Sequence, residues 1–177
     1  MKKIYKLLSV SLLAFITACS PDIDNYTEPG EAISGKVIDS VTGQPIQTEQ
    51  PNGFQICFKE IGYSADAPNR FFWGKADGTF QNTKMFENEY EITAVNGLLI
   101  QPETQMVNIK GNVQVDFTVT PYLNISEASL SVSGDELTMT YRLHRPTAVT
   151  AKINNAFVAI DWNPNVGNAV SKAKTDG

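Results

Sequence analysis

The sequence predicts an all-β fold, and three observations carry that expectation. Apolar residues recur at every second position through short runs. No stretch from Glu31 to Pro121 repeats them at helical spacing. Turn pairs such as Asp77-Gly78, Asn96-Gly97 and Gly111-Asn112 break the runs at short intervals.

The amino terminus stands apart from this pattern. Met1–Lys6 carries Lys2, Lys3 and Lys6, and Leu7–Ile16 is almost purely apolar. A basic start, an apolar run of about ten residues and small residues before a cut site make a secretory signal peptide. The run is short of the roughly 20 residues that span a bilayer. Thr17-Ala18-Cys19 resembles a bacterial lipobox, in which the cysteine is lipidated and becomes the first mature residue. That resemblance implies a signal peptide over 1–18, lipidation at Cys19 and a membrane partner through the acyl chains. An ordinary signal peptide with a coincidental cysteine is the alternative. Residues 19–30, with Pro21, Pro29 and several acids, read as an extended tether. Asp22 and Asp24 resemble the acidic export tag of Bacteroidetes surface lipoproteins. This implies display at the outer-membrane surface, with the periplasmic face as the other option.

Composition limits the partners. Without the three signal lysines the chain holds 11 basic and 19 acidic residues, a net charge of −8. Such a charge argues against nucleic acid and against electrostatic binding to anionic lipid heads. With Cys19 assigned to lipid, Cys57 has no disulfide partner in the chain. It sits in the strand-like run Phe54–Phe58 and reads as a small buried apolar side chain.

Residues 31–121 read as one β-sandwich. Ile33–Asp39 is its first strand, followed by a turn built from Asp39, Thr42 and Gly43 and an extended piece opened by Pro45. Phe54–Tyr63 places Phe54, Ile56 and Phe58 on one face. Asn69–Lys75 supplies Phe71, Phe72 and Trp73. Asp77-Gly78 reads as a two-residue hairpin turn into Thr79–Phe86. Glu89–Val95 alternates Tyr90, Ile92 and Ala94. Gln105–Lys110 and Val113–Thr120 flank Gly111-Asn112, a second hairpin signal. Val113, Val115, Phe117 and Val119 share one face of the last strand.

Gly35-Lys-Val-Ile-Asp39 with Thr42-Gly-Gln-Pro-Ile46, then Lys75-Ala-Asp-Gly-Thr-Phe80 and Tyr90-Glu-Ile-Thr-Ala94, resembles the transthyretin-like, or carboxypeptidase-regulatory-like, β-sandwich. The resemblance implies that Phe80 and Tyr90 meet in the core. The lipobox, Asp24–Pro29, Asp77–Phe86 and Phe117–Tyr122 together resemble a Bacteroidetes lipoprotein family of unknown function. Its members pair this domain with a carboxy-terminal immunoglobulin-like domain and accompany outer-membrane glycan-uptake systems. The match implies no catalytic residue.

Pro121 ends the sandwich, because proline cannot continue a ladder inside a sheet. Residues 122–177 start again with Leu123–Val132, the turn Gly134-Asp135, Glu136–Leu143, Val149–Asn154 and Phe157–Trp162. These are about half the strands of an immunoglobulin-like sandwich. The expectation is therefore a transthyretin-like sandwich followed by a partial immunoglobulin-like β-domain. In that second part, packing is poorer and the tail from Asn163 is not well ordered.

The residues for chemistry are sparse. One histidine, His144, and no Cys-x-x-Cys argue against a transition-metal site, and no cofactor is implied. Glu87/Glu89 and Asp135/Glu136 sit at turns, where carboxylates stay solvated, so no catalytic residue is named. The aromatics Tyr63, Phe71, Phe72, Trp73 and Trp162 are the candidates for binding. Tyr63, Phe72, Trp73 and Trp162 are the named ligand contacts. Alternation sends at least one of Phe71, Phe72 and Trp73 away from its neighbours. Core filling, sugar stacking and a protein contact are the competing readings of these rings. The expected function is a non-enzymatic, lipid-anchored accessory of a glycan-uptake system. Either it binds polysaccharide, or it docks on an outer-membrane transporter without sugar affinity.

Overall fold

The computed structural model describes residues 27–62, 64 and 66–176. The signal peptide, Cys19, most of the tether and Tyr63 lie outside the described residues. Among those described there is no helix, as the all-β expectation requires. The strands are β1 (Glu31–Asp39), β2 (Phe54–Glu60), β3 (Arg70–Trp73), β4 (Thr79–Met85), β5 (Asn88–Asn96), β6 (Leu99–Ile100), β7 (Gln105–Ile109), β8 (Asn112–Gln114), β9 (Phe117–Pro121), β10 (Asn124–Ser133), β11 (Glu136–His144), β12 (Phe157–Ile160) and β13 (Ala173–Asp176).

Two sheets make the sandwich. The first runs β4-β1-β9-β6, with β8 also paired to β1, and the second runs β3-β2-β5-β7. Alternation supplies the core between them. Phe54, Ile56, Tyr90, Ile92 and Ile109 of the second sheet pack with Ile33, Val37, Phe80, Phe117 and Val119 of the first. Each such fully buried side chain contributes about 1.5–3 kcal/mol. Phe80 and Tyr90 are both buried, yet they are linked by intermediaries. Phe80 lies 6.2 Å from Phe72, Phe72 lies 5.8 Å from Phe58, and Phe58 lies 6.1 Å from Tyr90.

The opening stretch is structural. Asp39 accepts from Val41 N at 2.8 Å and Thr42 Oγ1 at 2.9 Å, and Gly43 closes the turn at φ 69°. Asn124 Nδ2 also donates to Asp39, which ties the start of β10 to this turn. Gly35 faces the break between β8 and β9. There Val115 N donates to Ser34 O at 2.9 Å and Asp116 Oδ1 accepts from Lys36 N at 2.8 Å.

Tyr90 illustrates the cost of burial. Its hydroxyl donates to Phe86 O at 3.1 Å. Burial, and then the Glu60 carboxylate, push its pKa from 10.0 up to about 12. The folded state therefore holds the proton more tightly than the unfolded chain. That stability is fully present below pH 10 and is lost as pH rises from 10 to about 12. Urea unfolding at pH 8 and pH 11 should show a smaller alkaline loss for Tyr90→Phe than for the wild type. Equal losses would assign the alkaline effect to other groups.

Several expectations are corrected. Asp77-Gly78 and Gly111-Asn112 turn the chain, but neither joins a hairpin. β3 and β7 lie in the second sheet, whereas β4 and β8 lie in the first. These glycines make arches across the sandwich, since each flanking strand finds its partner elsewhere. The single strand expected over Val113–Thr120 is two, interrupted opposite Gly35. Residues 149–154 form no strand. The tail is not featureless: β13 pairs antiparallel with β12, and Lys172 N donates to Ile160 O at 2.9 Å. β13 is Ala-Lys-Thr-Asp, with no alternating apolar residues, so side-chain alternation gave no sign of it.

Beyond Pro121, Val149 is the one buried hydrophobic side chain among the described residues. β10 and β11 form a hairpin through Gly134-Asp135, with Leu130 opposite Met139 and Val132 opposite Leu137. Ser131 faces Thr138 and Ser129 faces Thr140 in the intervening positions. Period-two alternation thus gives the hairpin one apolar and one hydroxyl-rich face. Leu130 and Val132 on the apolar face are 63% and 70% exposed.

Candidate functional site

The outward face of the second sheet is the candidate site. Residues that alternate with the core positions point outward from it. On β2 these are Gln55, Cys57 and Lys59, and on β5 they are Glu89, Glu91, Thr93 and Val95. On β3 they are Phe71 and Trp73, about half exposed at 51% and 49%. The register sets them in rows. Trp73 pairs with Gln55 and then Val95, Phe71 with Cys57 and then Thr93, and Lys59 with Glu91.

A groove of about 550 Å³ lies over these rows. Its floor is mostly polar, with Gln55, Lys59, Glu91 and Thr93 beside Cys57 and Val95. Phe71 lines one wall, and Trp73 extends that aromatic edge two residues further along β3. Gln101 and Thr104 line the opposite side. The segment between them is pinned to the sheet, because Thr93 Oγ1 donates to Pro102 O at 3.2 Å. At one end Asn96, which takes the left-handed φ of 62° that asparagine tolerates, donates from Nδ2 to Gln55 Oε1 at 2.8 Å.

Chemically the groove is suited to binding. Burial pushes the Cys57 thiol up, so it stays protonated at neutral pH and is a poor nucleophile. Among the described residues no three metal-ligating side chains cluster. Ser126 Oγ and His144 Nε2 meet at 2.9 Å on the β10–β11 hairpin, a pair that the sequence reading did not connect. No carboxylate among the described residues bonds to that imidazole, so the arrangement lacks the group that orients a catalytic base. Glu87 is held by Lys110 at 2.6 Å, and this contact raises the lysine pKa.

The four named ligand contacts separate in space. Trp73 stands on the groove face. Phe72 points the other way, into the aromatic core between Phe58 and Phe80, so it is unavailable to a ligand. Trp162 is 84% exposed, but it follows β12, whose two-stranded sheet lies outside the sandwich, and Lys172 Nζ sits 5.1 Å from its ring centre. Tyr63 lies outside the described residues. The ring that joins Trp73 is Phe71, two positions away on the same strand face. Gln55 and Thr93 were not singled out from sequence, and Asn96 was read only as a turn residue. Gln55 could have been found by alternation, being out of phase with Phe54 and Ile56.

Residues 31–120 match the family described as "Protein of unknown function (DUF3823) N-terminal domain". No curated protein matches the sequence. Solved structures share the fold. A DUF3823 family protein from Parabacteroides merdae ATCC 43184 is 24% identical with a TM-score of 0.72, covering 85% of this chain and 75% of that one. A DUF3823 family protein from Bacteroides ovatus ATCC 8483 is 17% identical with a TM-score of 0.69, covering 82% and 73%. A protein from Bacteroides uniformis ATCC 8492, provisionally described as a carbohydrate binding protein, is 22% identical with a TM-score of 0.65, covering 84% and 71%. These coverages exceed the family match, so the likeness reaches past the sandwich into the strands after Pro121.

Proposed function

The chain belongs to the DUF3823 family, and on that premise we propose that it is a non-enzymatic, lipid-anchored protein of the outer membrane that binds carbohydrate for a glycan-uptake system. The observation that carries this reading is the pair Phe71 and Trp73, half exposed on one face of β3 beside a groove whose lining includes the amides of Gln55, Asn96 and Gln101 and the hydroxyls of Thr93 and Thr104. Sugars present apolar ring faces and polar rims. An aromatic wall takes the former by stacking, and side-chain amides take the latter. The description of the Bacteroides uniformis neighbour supports the same class of ligand. The lipobox at Cys19 and the acids after it support an anchored, surface-exposed protein.

The test is a glycan array probed with the full chain in detergent, wild type against Trp73→Ala. Truncating a central aromatic anchor costs about 2 kcal/mol, roughly thirtyfold in affinity. Retention by the wild type and its loss in Trp73→Ala is the expected result. Retention that Trp73→Ala leaves unchanged would move the site elsewhere. No retention on any glycan would leave the second reading, a docking module for an outer-membrane transporter. The exposed apolar face of the β10–β11 hairpin favours that one.

A further inference from the structure

Resting on the carbohydrate reading, we infer that the groove takes a neutral polysaccharide. The hydrogen-bonded amides of Gln55 and Asn96 select it by gripping adjacent hydroxyls of the sugar stacked on Trp73.

Register places these groups together. Trp73 and Gln55 are direct cross-strand partners on the outward face, and such pairs have Cβ atoms about 4.5–5.5 Å apart. A sugar ring lying on the indole thus has the Gln55 amide at its rim. The 2.8 Å bond from Asn96 Nδ2 to Gln55 Oε1 uses one acceptor and one donor. It leaves Gln55 Nε2 as donor and Asn96 Oδ1 as acceptor, neither with a protein partner among the described residues. Both amides are held in place before a ligand arrives. Two neighbouring hydroxyls offer one acceptor and one donor side by side, which matches this pair. A carboxylate or sulfate offers acceptors alone, and one of them would confront the Asn96 carbonyl.

Charge points the same way. The charged side chains of the groove are Lys59 and Glu91, cross-strand neighbours on β2 and β5 whose charges sum to zero. No arginine lines it to fork onto an anionic sugar. The whole chain carries −5, so a polyanionic glycan approaches against repulsion.

The experiment is affinity electrophoresis of the detergent-solubilised full chain in native gels at low salt. One set of gels contains soluble starch, galactomannan, xyloglucan or levan. The other contains polygalacturonate, alginate or chondroitin sulfate. At least one neutral polymer should retard the protein, and no acidic polymer should. On the retarding polymer, Gln55→Ala and Asn96→Asp should each weaken binding by about 2- to 10-fold, the worth of one hydrogen bond, with unchanged unfolding midpoints. Retardation by an acidic polymer, lost in Trp73→Ala, would overturn the neutral class and leave the carbohydrate reading intact. Neutral binding unaffected by both amide variants would overturn their role as the selecting pair. No retardation in any gel would overturn this inference and the carbohydrate reading together.

Discussion

Gly35→Ala should destabilise the protein by more than about 3 kcal/mol, above the usual cost of overpacking. A Cβ at this position would lie 1.7 Å from the Val115 carbonyl oxygen and 2.7 Å from the tip of the Phe80 ring. The nearer obstacle is backbone, so no rotamer change relieves it. Relief requires β1 to part from the segment joining β8 to β9, whose bonds to Ser34 and Lys36 close the first sheet. Total stabilities are about 5–15 kcal/mol, so a large part would go. The melting temperature should fall by about 10 °C, taking roughly 2–4 °C per kcal/mol at this chain length. Calorimetry of the two proteins decides it. A shift below about 2 °C would mean that the two segments separate easily and that the interruption at Val115 is not a packing necessity.

Phe80→Ala should cost about 3–5 kcal/mol, as deletion of a buried phenylalanine ring does. Phe80 is 2% exposed and stands between Phe117 at 6.1 Å and Phe72 at 6.2 Å. The cavity would open under Phe72, the residue that anchors the middle of β3 to the interior. A second effect follows at the groove: amide protons of β3 should exchange with solvent faster in Phe80→Ala than those of β5. Urea unfolding gives the first quantity and hydrogen exchange the second. Uniform acceleration over both strands would show that the ring supports the sandwich as a whole and has no special bearing on β3.

The strands of the sandwich were largely legible because alternation is local. Tyr90, Ile92 and Ala94 announce a buried face without reference to any other element. The arches were not legible as arches. Asp77-Gly78 has the chemistry of a tight turn wherever its flanking strands go, and their destinations depend on pairing with residues far along the chain. β6, with two residues, is too short to leave a periodic signal. At the candidate site the alternation of Phe71, Phe72 and Trp73 was readable, but its phase was not. A run of three aromatics carries no polar residue to mark the solvent side. The core contacts of Phe72 with Phe58 and Phe80 fix it. The amide pair was hidden for a different reason. Gln55 and Asn96 are 41 positions apart and meet because β2 and β5 are neighbours in the same sheet.

The aromatic wall is carried by β3, which has four residues, sits at the edge of its sheet and pairs only with β2. An edge strand with one neighbour opens at a fraction of the global unfolding free energy. The opposite wall is a short segment between β6 and β7, tied in its middle by the hydroxyl bond from Thr93 to Pro102 O. β3 meets the close-packed interior mainly through Phe72, so the width of the groove can vary at the rim with less cost than a change inside the sandwich. Such a groove can adjust to occupants of differing bulk by moving its rim, at the expense of tight affinity for any one of them.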